Sequence, residues 1–216
     1  FRSLLFILAS VFFWFFGYNA VTSAFSRYAE QELQGNFALV LMICTVAAIV
    51  SYMPVGMIAQ RITSVSGASE VFGYGFVTYW AEAKTRLVGV QPEVIAQYNV
   101  VSAPVAAQMA LGAAQASGSD IAVSVTGLAG PGGGDAVRPV GTVYLGAARG
   151  GTVYVQKLFV SRPDRALVRA RAAQAALTLA LRLAQGKVPA HTKPLAAAQQ
   201  QDEAALAALN EAFLAE

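Results

Sequence analysis

Two long stretches without a charged side chain dominate the first part of the chain. They cover residues 3–26 and 33–60 and are rich in Leu, Phe, Val and Ile. Each is longer than the roughly 20 residues that a helix needs to cross the apolar core of a bilayer. A helix suits lipid because it satisfies its backbone hydrogen bonds internally. The sequence therefore predicts a two-helix transmembrane hairpin over residues 1–60, with a polar link at residues 27–32.

The flanking charges predict how this hairpin is oriented. Arg2 precedes the first span and Arg61 follows the second, whereas the link carries one arginine and two glutamates. Positive charge favours the cytoplasmic side, so both ends are expected there. We therefore expect a lipid bilayer as a partner and a membrane location, with the rest of the chain in the cytoplasm. If the junction near residue 60 is an artefact of sequence assembly, the whole protein is expected to be cytoplasmic.

Two motifs in the predicted spans point to one kind of membrane protein. The runs FWFFGYNAVTSAFSRYA and MPVGMIA make residues 1–59 resemble the first two helices of a major-facilitator transporter. Such transporters are built from two halves of about six spans each, so the resemblance implies a fragment. An unrelated hydrophobic anchor is the alternative.

The remaining composition excludes several classes of protein. The net charge is only +3, and basic residues are mixed with acidic ones, so nucleic-acid binding is not predicted. Cys44 is the only cysteine and His191 the only histidine. A disulfide framework, a zinc site and a histidine-based triad therefore lack their components. We expect no metal and no cofactor.

After Arg61 the sequence alternates between strand-like and helix-like segments. Runs of β-branched and aromatic residues predict strands at residues 71–79, 121–126, 142–148 and 152–159. Helices are predicted at residues 82–89, from the capping residue Ser102 through Pro104 and onward, and at residues 163–184. This alternation predicts an α/β fold, a layered domain with a mixed sheet and flanking helices, over residues 61–186.

Three finer predictions concern the second half of this domain. Arg149-Gly150-Gly151 is expected to turn a hairpin, because glycine tolerates positive φ. The apolar face of the long helix is predicted to contain Leu167, Ala170, Ala173, Leu177 and Leu181. Residues 187–216 are expected to form a linker and a C-terminal helix whose Leu206, Leu209 and Phe213 share one face. That helix is expected either to dock on the domain or a partner, or to fray.

The glycine-rich run TGLAGPGGG, residues 126–134, is the clearest candidate for a binding site. Closely spaced glycines let backbone N–H groups converge on an anion without interference from Cβ atoms. A phosphate or a developing oxyanion would suit such a loop, although a surface turn explains the glycines equally well. The candidate substrate-binding residues are Thr126, Gly127, Gly130, Gly132, Gly133 and Gly134.

Three blocks in order give this region a family resemblance. They are GYGFVTYWAEAKTRLVGV, then TGLAGPGGG followed by RPVGTVY, then FVSRPDRALVRARAAQAAL. With them, residues 56–185 resemble the C-terminal domain of the CinA family, a nicotinamide-nucleotide amidase. The resemblance implies hydrolysis of the carboxamide of nicotinamide mononucleotide to nicotinic acid mononucleotide and ammonia. It also implies self-association into a homo-oligomer.

The resemblance assigns roles to further residues. Tyr79 and Lys84 match a family tyrosine and lysine, and such a lysine can act as general base toward a hydroxyl. Arg165 and Arg169 match family arginines that could clamp a phosphate. The implied catalytic residues are Lys84, Tyr79 and Arg165, and the implied substrate-binding residues include Thr142 and Arg169.

One position departs from the family pattern. The family's nucleophilic serine precedes a run to which Met57-Ile58-Ala59 corresponds, and this alignment places Tyr52 at the serine position. Ser51 lies one residue away. Three functions therefore stay open: an amidase that this replacement could inactivate, a membrane-anchored nucleotide-binding module without turnover, and a fragment of a transporter.

Overall fold

The computed structural model of the protein describes residues 56–161 and 164–214. All of them belong to one unit, Ser51–Glu216. The predicted membrane hairpin therefore lies outside the described residues, except for residues 56–60. Those five residues belong to a helix, α1, which is described over residues 56–63. Within the described ranges, no helix combines the length and the apolar character needed to cross a membrane.

A four-stranded sheet forms the centre of the domain. Its strands are β1 Ile121–Gly127, β2 Thr142–Arg149, β3 Thr152–Phe159 and β4 Lys193–Ala196, in the spatial order β1-β2-β3-β4. Every neighbouring pair is antiparallel. The predicted mixed sheet is therefore wrong. No helix separates β1, β2 and β3 in sequence, and direct connections of this kind reverse the chain and pair the strands antiparallel.

The predicted hairpin between β2 and β3 is confirmed. Arg149 pairs with Thr152, which leaves a two-residue loop of Gly150 and Gly151. Both glycines have positive φ, 56° and 77°. Two consecutive positive φ angles match the turn that follows the right-handed twist of antiparallel strands.

Helices cover both faces of the sheet. They are α2 Ala81–Val88, α3 Pro92–Tyr98, α4 Ala103–Ser117, α5 Arg165–Ala184 and α6 Glu203–Leu214. Helix α4 packs on one face with α6, and α5 packs on the opposite face. The predicted cap is confirmed, since the Ser102 side chain accepts a hydrogen bond from the Val105 N–H.

The predicted apolar face of α5 is rotated from the observed one. Leu167 and Leu181 are exposed, the latter by 58%. The buried residues are Val168, Arg169, Ala172, Ala173, Ala176, Leu179 and Leu183. The prediction followed Leu167, Leu177 and Leu181, but the leucines that pack against the sheet are Leu179 and Leu183, together with Val168 and several alanines.

The predicted strand at residues 71–79 is also wrong. Residues 72–79 are irregular and lead into α2, and Trp80 at their end is 73% exposed. Phe76 packs against the core, and its ring stacks with Tyr74 at a centroid distance of 6.4 Å. The composition of residues 71–79 favours a strand, but a strand also needs a neighbouring strand with which to pair. None of the described strands pairs with these residues.

The C-terminal segment docks on the domain. Strand β4, which the sequence did not predict, pairs with the edge of β3. The predicted face of α6 is confirmed, because Leu206, Leu209 and Phe213 are all buried. The Phe213 ring meets the Tyr144 ring edge to face at 6.0 Å, and Lys157 Nζ donates to the Phe213 carbonyl oxygen at 2.6 Å.

Candidate active site

The glycine-rich loop, residues 127–134, begins at the end of β1. Several of its glycines are required by geometry. Gly130 has a φ of 82°, and a Cβ atom at Gly134 would lie 2.7 Å from the backbone nitrogen of Val140. At the base of the loop, the Leu128 N–H donates to the Thr142 carbonyl oxygen at 2.8 Å. This hydrogen bond therefore holds the start of the loop against the first residue of β2.

Backbone donors in this loop are available for a ligand. Among the described residues, no hydrogen bond uses the N–H groups of Gly130, Gly132, Gly133 and Gly134. Gly130 is buried, whereas the other three lie in the exposed tip. Unused N–H groups on successive small residues can form an anion-binding concavity.

Arg165 contacts this loop directly. Its Nη1 atom donates to the Gly130 carbonyl oxygen at 2.6 Å. Arg165 is the first residue of α5, and the helix begins there because the Asp164 side chain accepts a hydrogen bond from the Leu167 N–H. The start of α5 therefore brings a guanidinium group to the glycine-rich loop.

Arg169 lies one helical turn further along α5 and has no hydrogen-bonding partner for its Nε atom among the described residues. The residue is only 8% exposed, and its Nη2 atom lies 3.9 Å from the Met57 sulfur of α1. Burial lowers the pKa of Arg169, and the charge of Arg165 lowers it further. A buried cation without a counter-charge is unfavourable unless an anion joins it.

Lys84 and Tyr79 have contrasting surroundings. Lys84 is buried on α2, and its Nζ atom donates to the Thr78 carbonyl oxygen. Burial lowers the pKa of Lys84, so its amine loses a proton more readily than a solvated lysine. Tyr79 is next in the chain to the carbonyl that Lys84 contacts, but its side chain is 60% exposed. No described contact joins Lys84 or Tyr79 to the glycine-rich loop.

The two threonines of the predicted site flank the base of the loop. Thr126 is buried, and its hydroxyl donates to the Val100 carbonyl oxygen at 2.6 Å. Thr142 is also buried, but its hydroxyl has no partner among the described residues. The Thr126 hydroxyl therefore holds the backbone of residue 100, whereas the buried Thr142 hydroxyl makes no hydrogen bond to the described residues.

The sequence that forms this site matches a known protein family. The profile described as the CinA C-terminal domain matches residues 45–184, which is more than half of the chain. The chain belongs to the CinA C-terminal domain family. The match includes Ser51 and Tyr52, both outside the described residues. It supports the resemblance to the CinA family. It gives no support to the predicted resemblance of residues 1–59 to a transporter.

Relatives of this CinA domain come in two lengths. A CinA-like protein of Geobacter sp. (strain M21) is 54% identical over 114 residues, which are 53% of this chain and 27% of that protein. Nicotinamide-nucleotide amidohydrolase PncC of Enterobacter agglomerans is 48% identical over 128 residues, which are 59% of this chain and 77% of that protein. The chain therefore spans less than a third of the CinA-like protein but most of the shorter amidohydrolase.

Solved CinA structures share the fold. The competence/damage inducible protein CihA from Agrobacterium tumefaciens superposes with a TM-score of 0.59 at 40% identity, covering 62% of this chain and 81% of that one. A CinA superfamily protein from Escherichia coli gives a TM-score of 0.57 at 31% identity, covering 61% and 76%.

Two polar residues of the CinA domain were missed by the sequence analysis. Asp135 and Arg138 form an ion pair, with Asp135 Oδ2 3.0 Å from Arg138 Nη2. Arg138 Nη1 also donates to the Tyr98 carbonyl oxygen at 2.9 Å. The Asp-Ala-Val-Arg spacing offered a signal, because an aspartate often accepts hydrogen bonds from residues two and three positions later.

A groove of about 430 Å³ lies beside this ion pair. It is lined by Ile95, Ala96, Gln97, Asn99, Val100 and Arg138. The groove thus lies between the C-terminal end of α3 and the segment that follows the glycine-rich loop. None of the predicted catalytic residues lines it.

Proposed function

We propose that this CinA domain hydrolyses the carboxamide of nicotinamide mononucleotide, giving nicotinic acid mononucleotide and ammonia. The name of the PncC relative supports this substrate. The single structural observation that carries the proposal is the buried guanidinium of Arg169, which has no counter-charge among the described residues and lies one helical turn from Arg165, the residue that contacts the glycine-rich loop. A mononucleotide brings the phosphate that such a site lacks.

The phosphate is expected to bind at the start of α5. Arg169 supplies a charge with no competing counter-charge among the described residues, and the free N–H groups of the loop supply directed donors. Guanidinium–phosphate contacts are stronger than neutral hydrogen bonds and can be bidentate. Arg165 already donates to Gly130, so its role includes holding the loop in place.

Lys84 is the proposed general base. Its lowered pKa increases the fraction of neutral amine near neutral pH, and only the neutral amine can accept a proton. The attacking hydroxyl, from water or from a side chain, gives its proton to Nζ as its oxygen adds to the carboxamide carbon. The proton then passes to the departing nitrogen, which leaves as ammonia. Donors aimed at the carbonyl oxygen would stabilise the charge that develops there.

The source of the attacking oxygen separates two versions of the proposal. With Tyr52 at the serine position of the family pattern, the domain either uses an activated water or binds the nucleotide without turnover. The replacement favours the second version only if the family's serine is indispensable. Both versions share the phosphate site.

The test measures ammonia released from nicotinamide mononucleotide by the full chain, together with binding by calorimetry. We expect release by the wild type, a rate that rises as pH increases through the lowered pKa of Lys84, and loss of release in Lys84→Met. The matched control is Lys187→Met, because Lys187 is an exposed lysine. It should leave the rate unchanged.

Two outcomes would contradict parts of this proposal. Binding of the mononucleotide without ammonia release at any pH would leave a nucleotide-binding module in place of an amidase. Absence of both binding and release would reject the phosphate site as well.

A further inference from the structure

We propose that Arg138 is a positioning residue that sets the glycine-rich loop by tying it to residues 98–102, a segment that we call the brace. The brace connects α3 to α4. The proposal concerns how the loop is shaped, and its prediction for nucleotide binding rests on the proposed function. None of the roles assigned above includes Arg138, Asp135 or Asn99.

The brace holds both ends of the loop. Before the loop, the Thr126 hydroxyl donates to the Val100 carbonyl oxygen at 2.6 Å. After the loop, Arg138 Nη1 donates to the Tyr98 carbonyl oxygen at 2.9 Å. Since these two carbonyls are separated by one residue, the brace fixes where the chain leaves β1 and where it returns.

Each of the three guanidinium nitrogens of Arg138 donates a hydrogen bond to a protein atom. Its Nε and Nη2 atoms donate to Asp135 Oδ2 at 3.2 and 3.0 Å, while Nη1 reaches the brace. Asp135 Oδ1 accepts the N–H groups of Val137 and Arg138 at 2.9 and 2.6 Å. The N–H and guanidinium of Arg138 hold the pKa of the Asp135 carboxyl below its usual value. The charge of Arg138 is therefore neutralised by Asp135, whereas Arg169 has no counter-charge among the described residues.

The brace itself has a strained and well-defined backbone. Asn99 has φ 71° and ψ 158°, a region that is essentially restricted to glycine. Its side-chain Oδ1 accepts the Val101 N–H at 3.3 Å, and its carbonyl oxygen accepts the Ser102 hydroxyl at 2.9 Å. Strain of this kind persists only where surrounding contacts impose it, and it clusters at functional sites. The brace thus offers the loop a fixed support.

A lysine cannot replace Arg138 in this arrangement. A planar guanidinium carries five N–H donors in a fork, so one side of Arg138 can meet Asp135 while the other meets Tyr98. A lysine ammonium keeps the charge but concentrates it at one point. The pair Arg138→Lys and Arg138→Gln therefore separates geometry from charge.

The experiment compares these two variants with the wild-type full chain. It measures the affinity for nicotinamide mononucleotide by calorimetry and the hydrogen exchange of the Leu128 and Gly141 amides, which close the base of the loop. We expect both variants to lose about tenfold in affinity, a modest fraction of what misplaced binding groups can cost. Exchange at Leu128 and Gly141 should accelerate, while the amides between β2 and β3 stay protected.

The matched controls are Arg86→Lys and Arg86→Gln. Arg86 also pairs with an acidic residue on its own segment, Glu82 at 3.7 Å, but both side chains are well exposed. These variants should change neither affinity nor exchange.

Three results would overturn the proposal. If Arg138→Lys binds like the wild type while Arg138→Gln does not, Arg138 acts through its charge. If both variants retain affinity and protection, the brace is irrelevant to the loop. If the wild type binds no mononucleotide, the proposed function fails, and unchanged exchange at Leu128 and Gly141 would then reject the brace independently.

Discussion

The α4 face of the sheet and the loop end of the domain are built in opposite ways. On the α4 face, Ala106 and its neighbours are fully buried, and the Ser124 hydroxyl donates to the Ala106 carbonyl oxygen at 2.6 Å. The helix lies so close to β2 that a Cβ atom at Gly146 would be 2.4 Å from the same oxygen. Dense packing of small neutral groups holds this side together.

The loop end, by contrast, retains charge and strain. Arg169 is buried without a counter-charge among the described residues, the Thr142 hydroxyl is unpaired, and Asn99 has a strained backbone. The α4 side also leaves some polar atoms unpaired, those of Tyr98 and Gln200, but these groups are neutral. Burial, with Glu203 and Glu211 nearby, raises the pKa of Tyr98, so its hydroxyl stays protonated.

The difference between the α4 face and the loop end indicates which part of the domain contains destabilising groups. Groups that weaken a folded protein persist when they serve binding or catalysis. The unpaired polar atoms described on the α4 side are neutral, and the buried Lys84 there donates to the Thr78 carbonyl oxygen, whereas the loop end combines a buried charge, an unpaired hydroxyl and a strained backbone. Substitutions on the two sides should therefore change stability in opposite directions.

The largest effect is expected from Gly146→Ala on the α4 face. The added methyl group would clash with the backbone of Ala106, so the free energy of unfolding should fall by about 3 kcal/mol. Denaturant unfolding followed by circular dichroism measures this. The control is Gly73→Ala, because a Cβ atom there meets nothing within 4 Å. A stable Gly146→Ala would mean that α4 can move away from the sheet freely.

An opposite and smaller effect is expected from Arg169→Met at the loop end. Removing a buried, unpaired charge should raise the free energy of unfolding by about 1 kcal/mol while abolishing mononucleotide binding. The same unfolding experiment and calorimetry measure both. Arg171→Met is the matched control, since Arg171 is exposed on the same helix. If Arg169→Met instead lowers the free energy of unfolding, the guanidinium stabilises the fold. The proposed contrast between the α4 face and the loop end would then be wrong.

The smallest effect is expected from Asn99→Gly in the brace. Glycine adopts the observed backbone angles readily, but the hydrogen bond from the Val101 N–H to the side chain is lost. We expect a net gain of about 0.5 kcal/mol in the free energy of unfolding. Thermal unfolding at several denaturant concentrations resolves this change. A loss of stability would indicate that the side-chain contact outweighs the strain.

The parts of the fold that could be predicted share a local cause. Neighbouring residues alone are enough to predict three features: the cap at Ser102, the turn at Gly150 and Gly151, and the buried face of α6. The unsuccessful predictions depended on distant partners. Residues 71–79 have a strand-like composition, but no described strand pairs with them, and the side of α5 that is buried depends on its packing against β1 and β2.

The candidate site divides in the same way. The glycine run and the arginines of α5 stand out in the sequence, and the structure places Arg165 on Gly130. The different situations of Arg138 and Arg169 could not be predicted, because the sequence does not show that one guanidinium meets the Asp135 carboxylate and the other only the Met57 sulfur. The hydroxyl of Thr126 is engaged by Val100, which lies 26 residues earlier in the chain.

The sequence by itself determined that the second half of the chain is an α/β domain with a glycine-rich loop and a pair of arginines on its last long helix. Only the tertiary structure decided that the sheet is antiparallel, that β4 and α6 complete the domain, and which of the two α5 arginines is buried without a counter-charge among the described residues. The reason is physical. Turns, caps and glycine conformations are set by bonds between near neighbours, whereas burial and charge pairing depend on groups that the chain brings together only when it folds.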